Sequence, residues 1–281
     1  MSSLESQVIK IFRHARQGSI ETRREYRKCM LRFARWLVVT FHMQNLRNLS
    51  NKHVAAYVKH LLAEGCTAAY IKKVLAAIRY VHAQLPNPRY IITSDNAKLG
   101  IPARIPPGNR AWEDDEFELL CRIARMTGKD WIVDVLTLEK VLGLRIHEVM
   151  RLDTAAVERA LQNGCLHVKG KGGKERKTIS LTEASKEALL NAKARVKRGA
   201  KLFVPEGRTT HKVINDVQRF IKANRPAREG EQLTSHGLRY NYAQSRMSEL
   251  VIKGMPQEKA EAKVARELGH NRRRVTKGYL K

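Results

Sequence analysis

Apolar positions recur at helical spacing along most of the chain. From Glu21 to Phe41 the apolar set is Tyr26, Met30, Phe33, Leu37 and Val38, with Arg23, Arg24, Arg27, Lys28 and Arg35 around it, which predicts an amphipathic helix. A second helix is predicted from Ser50 or Asn51 through Val54, Tyr57, Val58 and Leu61, ending at Gly65. Thr67 is placed to cap a third, through Ile71, Val74, Leu75, Ile78 and Val81 to Leu85. Between Pro86 and Arg110 the period lapses among Pro88, Pro102, Pro106, Pro107 and Gly108, as expected of an interdomain linker. Beyond Ala111 it resumes. Asp114 or Asp115 caps a helix through Phe117, Leu120, Cys121, Ile123 and Ala124, and another runs from Trp131 to Leu142. After Gly143 a further helix carries Leu144 to Leu152. From Gly164 to Leu181 the spacing changes: Leu166 and Val168 precede a polar turn and Thr178 to Leu181 resumes apolar character, which predicts a hairpin. The rest reads as mostly helical, with Gly254 and Gly269 as C-caps. The chain therefore divides into a helical domain over 1–88, a linker over 89–110 and a mainly helical domain with a small sheet over 111–281.

Charge changes this picture from a fold to a partner. The chain of 281 residues has a formal net charge of +27. Residues 1–100 hold 17 Lys and Arg against 5 Asp and Glu, and the remainder holds 37 against 22, so both halves are expected to face a polyanion. No apolar run approaches the ~18 residues of a membrane span, which leaves nucleic acid rather than lipid as that polyanion. Cys29, Cys66, Cys121 and Cys165 are scattered without zinc or disulfide spacing, consistent with a reducing cytosol and with no metal.

Four islands in the second domain combine residue types suited to phosphate chemistry. Arg145 and Glu148 follow a glycine in Gly143-Leu144-Arg145-Ile146-His147-Glu148; alone they read as a surface ion pair beside a helix break. Lys169, Lys171, Lys174 and Arg176 surround Gly170, Gly172 and Gly173 at the hairpin; alone they read as a solvated basic fingertip, and the order of a nucleotide-binding P-loop is absent. His236 and Arg239 lie three apart behind Ser235, a candidate cap. Leu268-Gly269-His270 is followed by Tyr279, which alone reads as an exposed aromatic.

Taken together and in this order, the islands resemble the tyrosine recombinase family, which includes the phage integrases. The family's G-L-R-x-x-E is matched by Arg145 and Glu148, its hairpin lysine by Lys171, its H-x-x-R by His236 and Arg239, and its L-G-H with a tyrosine nine residues later by His270 and Tyr279. Over residues 111–281 the resemblance rests on these motifs; over 1–85 it rests on a basic helical domain of the size of the family's SAM-like core-binding domain.

The resemblance implies a site-specific recombinase that cleaves and rejoins double-stranded DNA through a covalent 3′-phosphotyrosine, with no cofactor, metal or small-molecule substrate. In it Tyr279 is the nucleophile, Arg145 and Arg239 fork onto the phosphate oxygens, and His270 donates to the same phosphate. His236 accepts the proton of Tyr279, whose unperturbed pKa of about 10 calls for a base or nearby cations. Lys171 is the acid for the departing oxygen, and Glu148 orients its neighbours. Tyr240 and Tyr242 are the alternative nucleophiles, and Lys169 and Lys174 the alternative acids. The unusually basic sequence favours integration or excision of a mobile element over Xer-like dimer resolution. Relaxation in the manner of a type IB topoisomerase, and a non-catalytic DNA-binding protein on the same scaffold, are the competing readings. With no arm-binding domain expected ahead of the first bundle, a simple core-type site is expected rather than a large attachment site; with Leu280 and Lys281 alone after Tyr279, a DNA-assembled homotetramer held through first domains and DNA is expected, with a monomer in solution.

Overall fold

The computed structural model describes residues 2–103, 108–170, 173, 175–269 and 278–280, and divides into two compact units, Met1–Ile105 and Pro106–Lys281.

The first unit is a bundle of α1 (Ser3–His14), α2 (Ile20–Phe41), α3 (Asn51–Ala63) and α4 (Ala68–His82). The predicted α2, α3 and α4 are present, but α1 escaped the reading of the pattern. Its signal is the capping box of Ser2 and Glu5: the Ser2 amide donates to the Glu5 carboxylate at 2.9 Å and the Glu5 amide donates to the Ser2 hydroxyl at 3.3 Å. Leu4 and Val8 are then buried one turn apart, and Arg35 of α2 donates to the same Glu5 at 2.7 Å. The core joins Met30, Phe33 and Leu37 to Tyr57 and Leu61 and to Ile71, Leu75 and Ile78. Residues past Pro86 are strapped to this unit. The Arg89 amide donates to the Arg47 carbonyl, Arg79 to the Thr93 carbonyl and the Thr93 amide to Asn51, while Ile92, Leu99 and Ile101 pack on the core.

The second unit is built around α6 (Asp130–Leu142), which packs against α5 (Asp114–Met126), α7 (Ile146–Val149), α9 (Glu183–Ala194) and α11 (Leu238–Ile252). Ile132, Val135, Leu136, Leu138 and Leu142 of α6 are all buried, as in a helix covered on several sides. The single helix predicted from Leu144 to Leu152 is instead one turn, α7. Arg145 is extended, its amide held by Glu148, and Asp153 is extended again to cap α8 (Thr154–Asn163) through the Ala156 amide at 2.7 Å. Side-chain acceptors thus outcompete helix propagation at both ends of the turn.

The predicted hairpin is β1 (Cys165–Lys169) paired antiparallel with β2 (Glu175–Ser180), with Val168 opposite Arg176 and Lys169 opposite Glu175. α10 (Thr210–Asn224) follows α9, a short 3-10 turn Ser235–Gly237 leads into α11, and α12 (Gln257–Glu267) packs back on α11. Gly254 and Gly269 follow their helices with positive φ, as predicted of C-caps. Tyr240, Tyr242, Ala243, Val264, Leu268 and Tyr279 form a separate small core there. Among the described residues no helix is long and apolar enough to cross a membrane.

Each unit holds its own apolar clusters. The fragment 106–281 is therefore expected to unfold alone in one cooperative thermal transition. Dye binding and a featureless near-ultraviolet spectrum, the marks of a loosely packed state, would contradict this.

Candidate active site

Gly143 ends α6 at φ +58, and a Cβ there would stand 2.6 Å from the Tyr242 ring, so glycine is required by both backbone and space. The break turns Arg145 out of the helix, where it caps α7. Glu148, on the same turn, is wholly buried. Its carboxylate accepts from the Arg145 amide at 2.9 Å, Arg145 Nη1 at 3.0 Å and Arg176 Nη2 at 2.8 Å, and Arg239 Nη1 stands 4.0 Å away. Burial alone would push this carboxyl up; Arg176, the Arg145 amide, Arg145 and Arg239 together outweigh it and hold it below the usual carboxylate value.

Arg239, on α11, is completely buried. It donates to the Gly143 carbonyl and, at 3.0 Å, to the Leu268 carbonyl. Arg176 of β2 donates to the Glu267 carbonyl at 2.6 Å and to the Gly143 carbonyl at 3.3 Å. These carbonyls belong to the C-terminal ends of α6 and α12, which lack helix partners and carry partial negative charge, so two arginines find acceptors inside the protein. Burial, then Arg145, lowers Arg239 to about 10, which leaves it charged at neutral pH. Sequence reasoning placed Arg176 at a solvated fingertip. The alternation along β2, paired with Val168 opposite, turns it inward instead.

His236 sits in the turn Ser235–Gly237. A Cβ at Gly237 would lie 2.3 Å from the Arg110 carbonyl oxygen and 2.7 Å from the Trp112 indole nitrogen, and that indole donates to the Thr234 carbonyl at 2.9 Å. Ser235 is beneath the turn: its hydroxyl donates to Glu139 of α6, 2.7 Å from Oε1 and 2.9 Å from Oε2. His236 itself is exposed at the surface of the site. The protein around it, then Arg239, Arg110 and Arg145, lowers it to about 4, so it is neutral at pH 7.

Tyr279 lies along α11. Its Oη is 3.0 Å from His236 Nε2, its ring stacks on Tyr240 with centroids 4.4 Å apart, and its carbonyl accepts from Gln244 at 3.1 Å. His236 in the turn that leads into α11, and Tyr240 and Gln244 one turn apart on α11, hold the tyrosine at three points. Tyr242, an alternative nucleophile by sequence, donates its hydroxyl to Glu267 at 2.8 Å. Burial, and then that glutamate, push it well above the usual tyrosine range.

The structure brings Arg145, Glu148, His236, Arg239 and Tyr279 together. Lys171 and His270 lie outside the described residues, as does Lys174, an alternative acid by sequence. The inward role of Arg176, Glu139 and the stacking role of Tyr240 are not legible in the sequence; a buried carboxyl has no sequence mark beyond a charge inside an apolar period, which Glu139 has. Among the described residues no group of three or more His, Cys, Asp and Glu is placed to hold a metal ion.

The model of the phage integrase N-terminal SAM-like domain matches residues 10–86, and that of the phage integrase family matches residues 114–281. No curated protein sequence matches the chain. Among solved structures, the XerH site-specific recombinase on its palindromic difH substrate is similar at 20% identity and a TM-score of 0.67, over 99% of this chain and 81% of that one. A lambda integrase tetramer bound to a Holliday junction is similar at 19% and 0.69, over 99% and 77%. The Tn1549 transposon integrase with circular intermediate DNA is similar at 15% and 0.64, over 100% and 96%.

Because Glu148 is a buried anion among arginines, Glu148→Gln is expected to cost about 3–5 kcal/mol of unfolding free energy at neutral pH. The Glu148 carboxyl is lowered in the folded state, so its contribution is complete above its unfolded value and fades as the pH falls through the folded one. Urea unfolding of both proteins should show the gap closing in acid below 4.5; a gap independent of pH would show that charge is not the cause.

Proposed function

Because the chain belongs to the phage integrase family and is a tyrosine site-specific recombinase acting on DNA, we propose that it cleaves with Tyr279. The observation that carries this reading is Tyr279 Oη at 3.0 Å from a neutral His236, which shares a cavity wall with Arg145 and has the charge of the buried Arg239 nearby.

In the proposed reaction Oη attacks the scissile phosphorus and its proton passes to His236 Nε2. The Oη–P bond forms, the P–O5′ bond breaks, and the departing 5′ oxygen takes a proton from Lys171. The strand is left as a 3′-phosphotyrosyl ester, and attack by an incoming 5′-hydroxyl reverses each of these transfers without an external energy source. Arg145 meets the non-bridging oxygens, where charge accumulates, Arg239, buried with its Nη donors on the Gly143 and Leu268 carbonyls, adds positive charge from behind, and His270 donates to one of the oxygens. A histidine near 4 is a weak base for a phenol. The scissile phosphate brings the negative charge that offsets the surrounding arginines, so His236 gains basicity when substrate is bound. The roles of Lys171 and His270 rest on their motifs.

The proposal extends to assembly and task. The similar lambda integrase is seen as a tetramer on a Holliday junction, and the similar Tn1549 integrase on a transposon circular intermediate. We take this chain to act as a DNA-assembled tetramer in the integration or excision of a mobile element.

Covalent capture from a randomised library of nicked duplexes tests the nucleophile and yields the target sequence. The wild-type chain is expected to retain DNA through denaturation, and Tyr279→Phe to retain none while binding the selected duplex with near-normal affinity. A denaturant-resistant complex with Tyr279→Phe would move the nucleophile elsewhere.

Lys171→Ala is expected to slow cleavage of the selected duplex by about 10²-fold or more, and far less when the 5′ bridging oxygen is sulfur, since a thiolate leaves without an acid. Equal losses on both substrates would make Lys171 a phosphate contact instead.

A further inference from the structure

Glu139 stands out in the second unit because the reaction above makes no use of it. It is 1% exposed and lies on an otherwise apolar face of α6. Its carboxyl meets the hydroxyl of Ser235, itself 5% exposed and adjacent in sequence to His236. The two sides of this short turn are held differently. On one side Gly237 is closed against Arg110 and Trp112 by contact distances that admit no Cβ. On the other, Ser235 to Glu139 is the polar tie that crosses to α6. A cavity of about 380 Å³ opens above the pair, and His236 and Arg145 share its wall with them.

We propose that Glu139 is a positioning residue for strand cleavage: as a neutral carboxylic acid bound to Ser235, it fixes the turn that aims His236 at Tyr279. The inference rests on the reading of His236 as the base. A misplacement of one ångström at a reacting group is enough to cost about 10²-fold in rate, so a buried tie one residue from the base has leverage.

The neutral form follows from the surroundings. Burial raises the carboxyl to about 8, against the opposing influence of the Ser235 hydroxyl and Arg239, with Glu148 adding to the rise. Facing it from the other elements are Arg239 of α11, Arg145, His147 and Glu148 of the α7 turn, and His236; Lys222 and Arg225 of α10 stand across the cavity. Burial, above all, lowers His147 as well, so it adds no charge at neutral pH. Ionisation of Glu139 would place a second buried anion beside Glu148, close to where the phosphate gains negative charge, and so oppose cleavage.

The test is single-turnover covalent complex formation by the full chain on the selected nicked duplex at saturating DNA, followed from pH 6 to 9.5. Ser235→Ala and Glu139→Leu are expected to slow cleavage about tenfold or more with unchanged DNA affinity. Glu139→Gln, which keeps the shape and the acceptor, should rescue the neutral-pH rate. As the pH rises through 8 the wild type should fall behind Glu139→Gln, because only the wild type gains the anion. In a His236→Ala background, Ser235→Ala should add little, since residues acting through one another are not additive. Superimposable pH profiles of wild type and Glu139→Gln, or a full additional loss from Ser235→Ala without His236, would overturn the proposal. If Glu139→Leu fails to fold, those two measurements still decide it. A His236→Ala chain that cleaves at the wild-type rate would instead overturn the base assignment and leave the Glu139 tie as structure only.

Discussion

One buried carboxylate organises this active site. Glu148 receives Arg145 and Arg176 directly and stands within ion-pair distance of Arg239. Unit charges 4 Å apart interact by about 4 kcal/mol at an effective dielectric near 20, a large fraction of a whole domain's stability. Three guanidiniums gathered without an anion would repel one another on that scale. With Glu148 among them, and with helix-end carbonyls taking further donors of Arg176 and Arg239, the cluster is held before any DNA arrives. In the proposed reaction positive charge is then in place near the phosphate, rather than drawn there at the moment of reaction.

The same arrangement accounts for the character of the other residues. Burial, reinforced by the positive charge of Arg239, Arg110 and Arg145, keeps His236 neutral, which is the form that can accept a proton from Tyr279. Tyr279 carries its own cost of confinement, met by stacking on Tyr240 and by the Gln244 bond at its carbonyl. Arg176 links β2 to the ends of α6 and α12, so the strand that follows Lys171 in sequence is tied to the helix end that precedes His270 in sequence. The hairpin is thereby part of the site's framework as well as the bearer of a candidate acid.

Much of this was legible in the chain. Apolar spacing marked α2 to α6, the hairpin and the glycine breaks, because a side buried in a helix or strand must repeat with that element's period. The resemblance of the motif islands to a known family singled out Arg145, Glu148, His236, Arg239 and Tyr279, which the structure brings together. The net charge of +27 marked a polyanionic partner. The helix α1 was missed although Ser2 and Glu5 carry a capping box, since two buried apolar residues make a weak period.

Other features were decided by the tertiary structure alone. Whether Arg176 faces solvent or Glu148 depends on which face of β2 meets α7 and α12, and a strand's period of two allows either. The break of the predicted 144–152 helix into one turn depends on Glu148 reaching back to the Arg145 amide. That Glu139 meets Ser235 is decided when α11 and the Ser235 turn close over it, and that Tyr240, an alternative nucleophile by sequence, is a stacking partner is decided when Tyr279 lies against it. Sequence determined the period of each element and the chemical kinds present; three-dimensional packing decided which charges share a low-dielectric space, and with it their protonation and their partners.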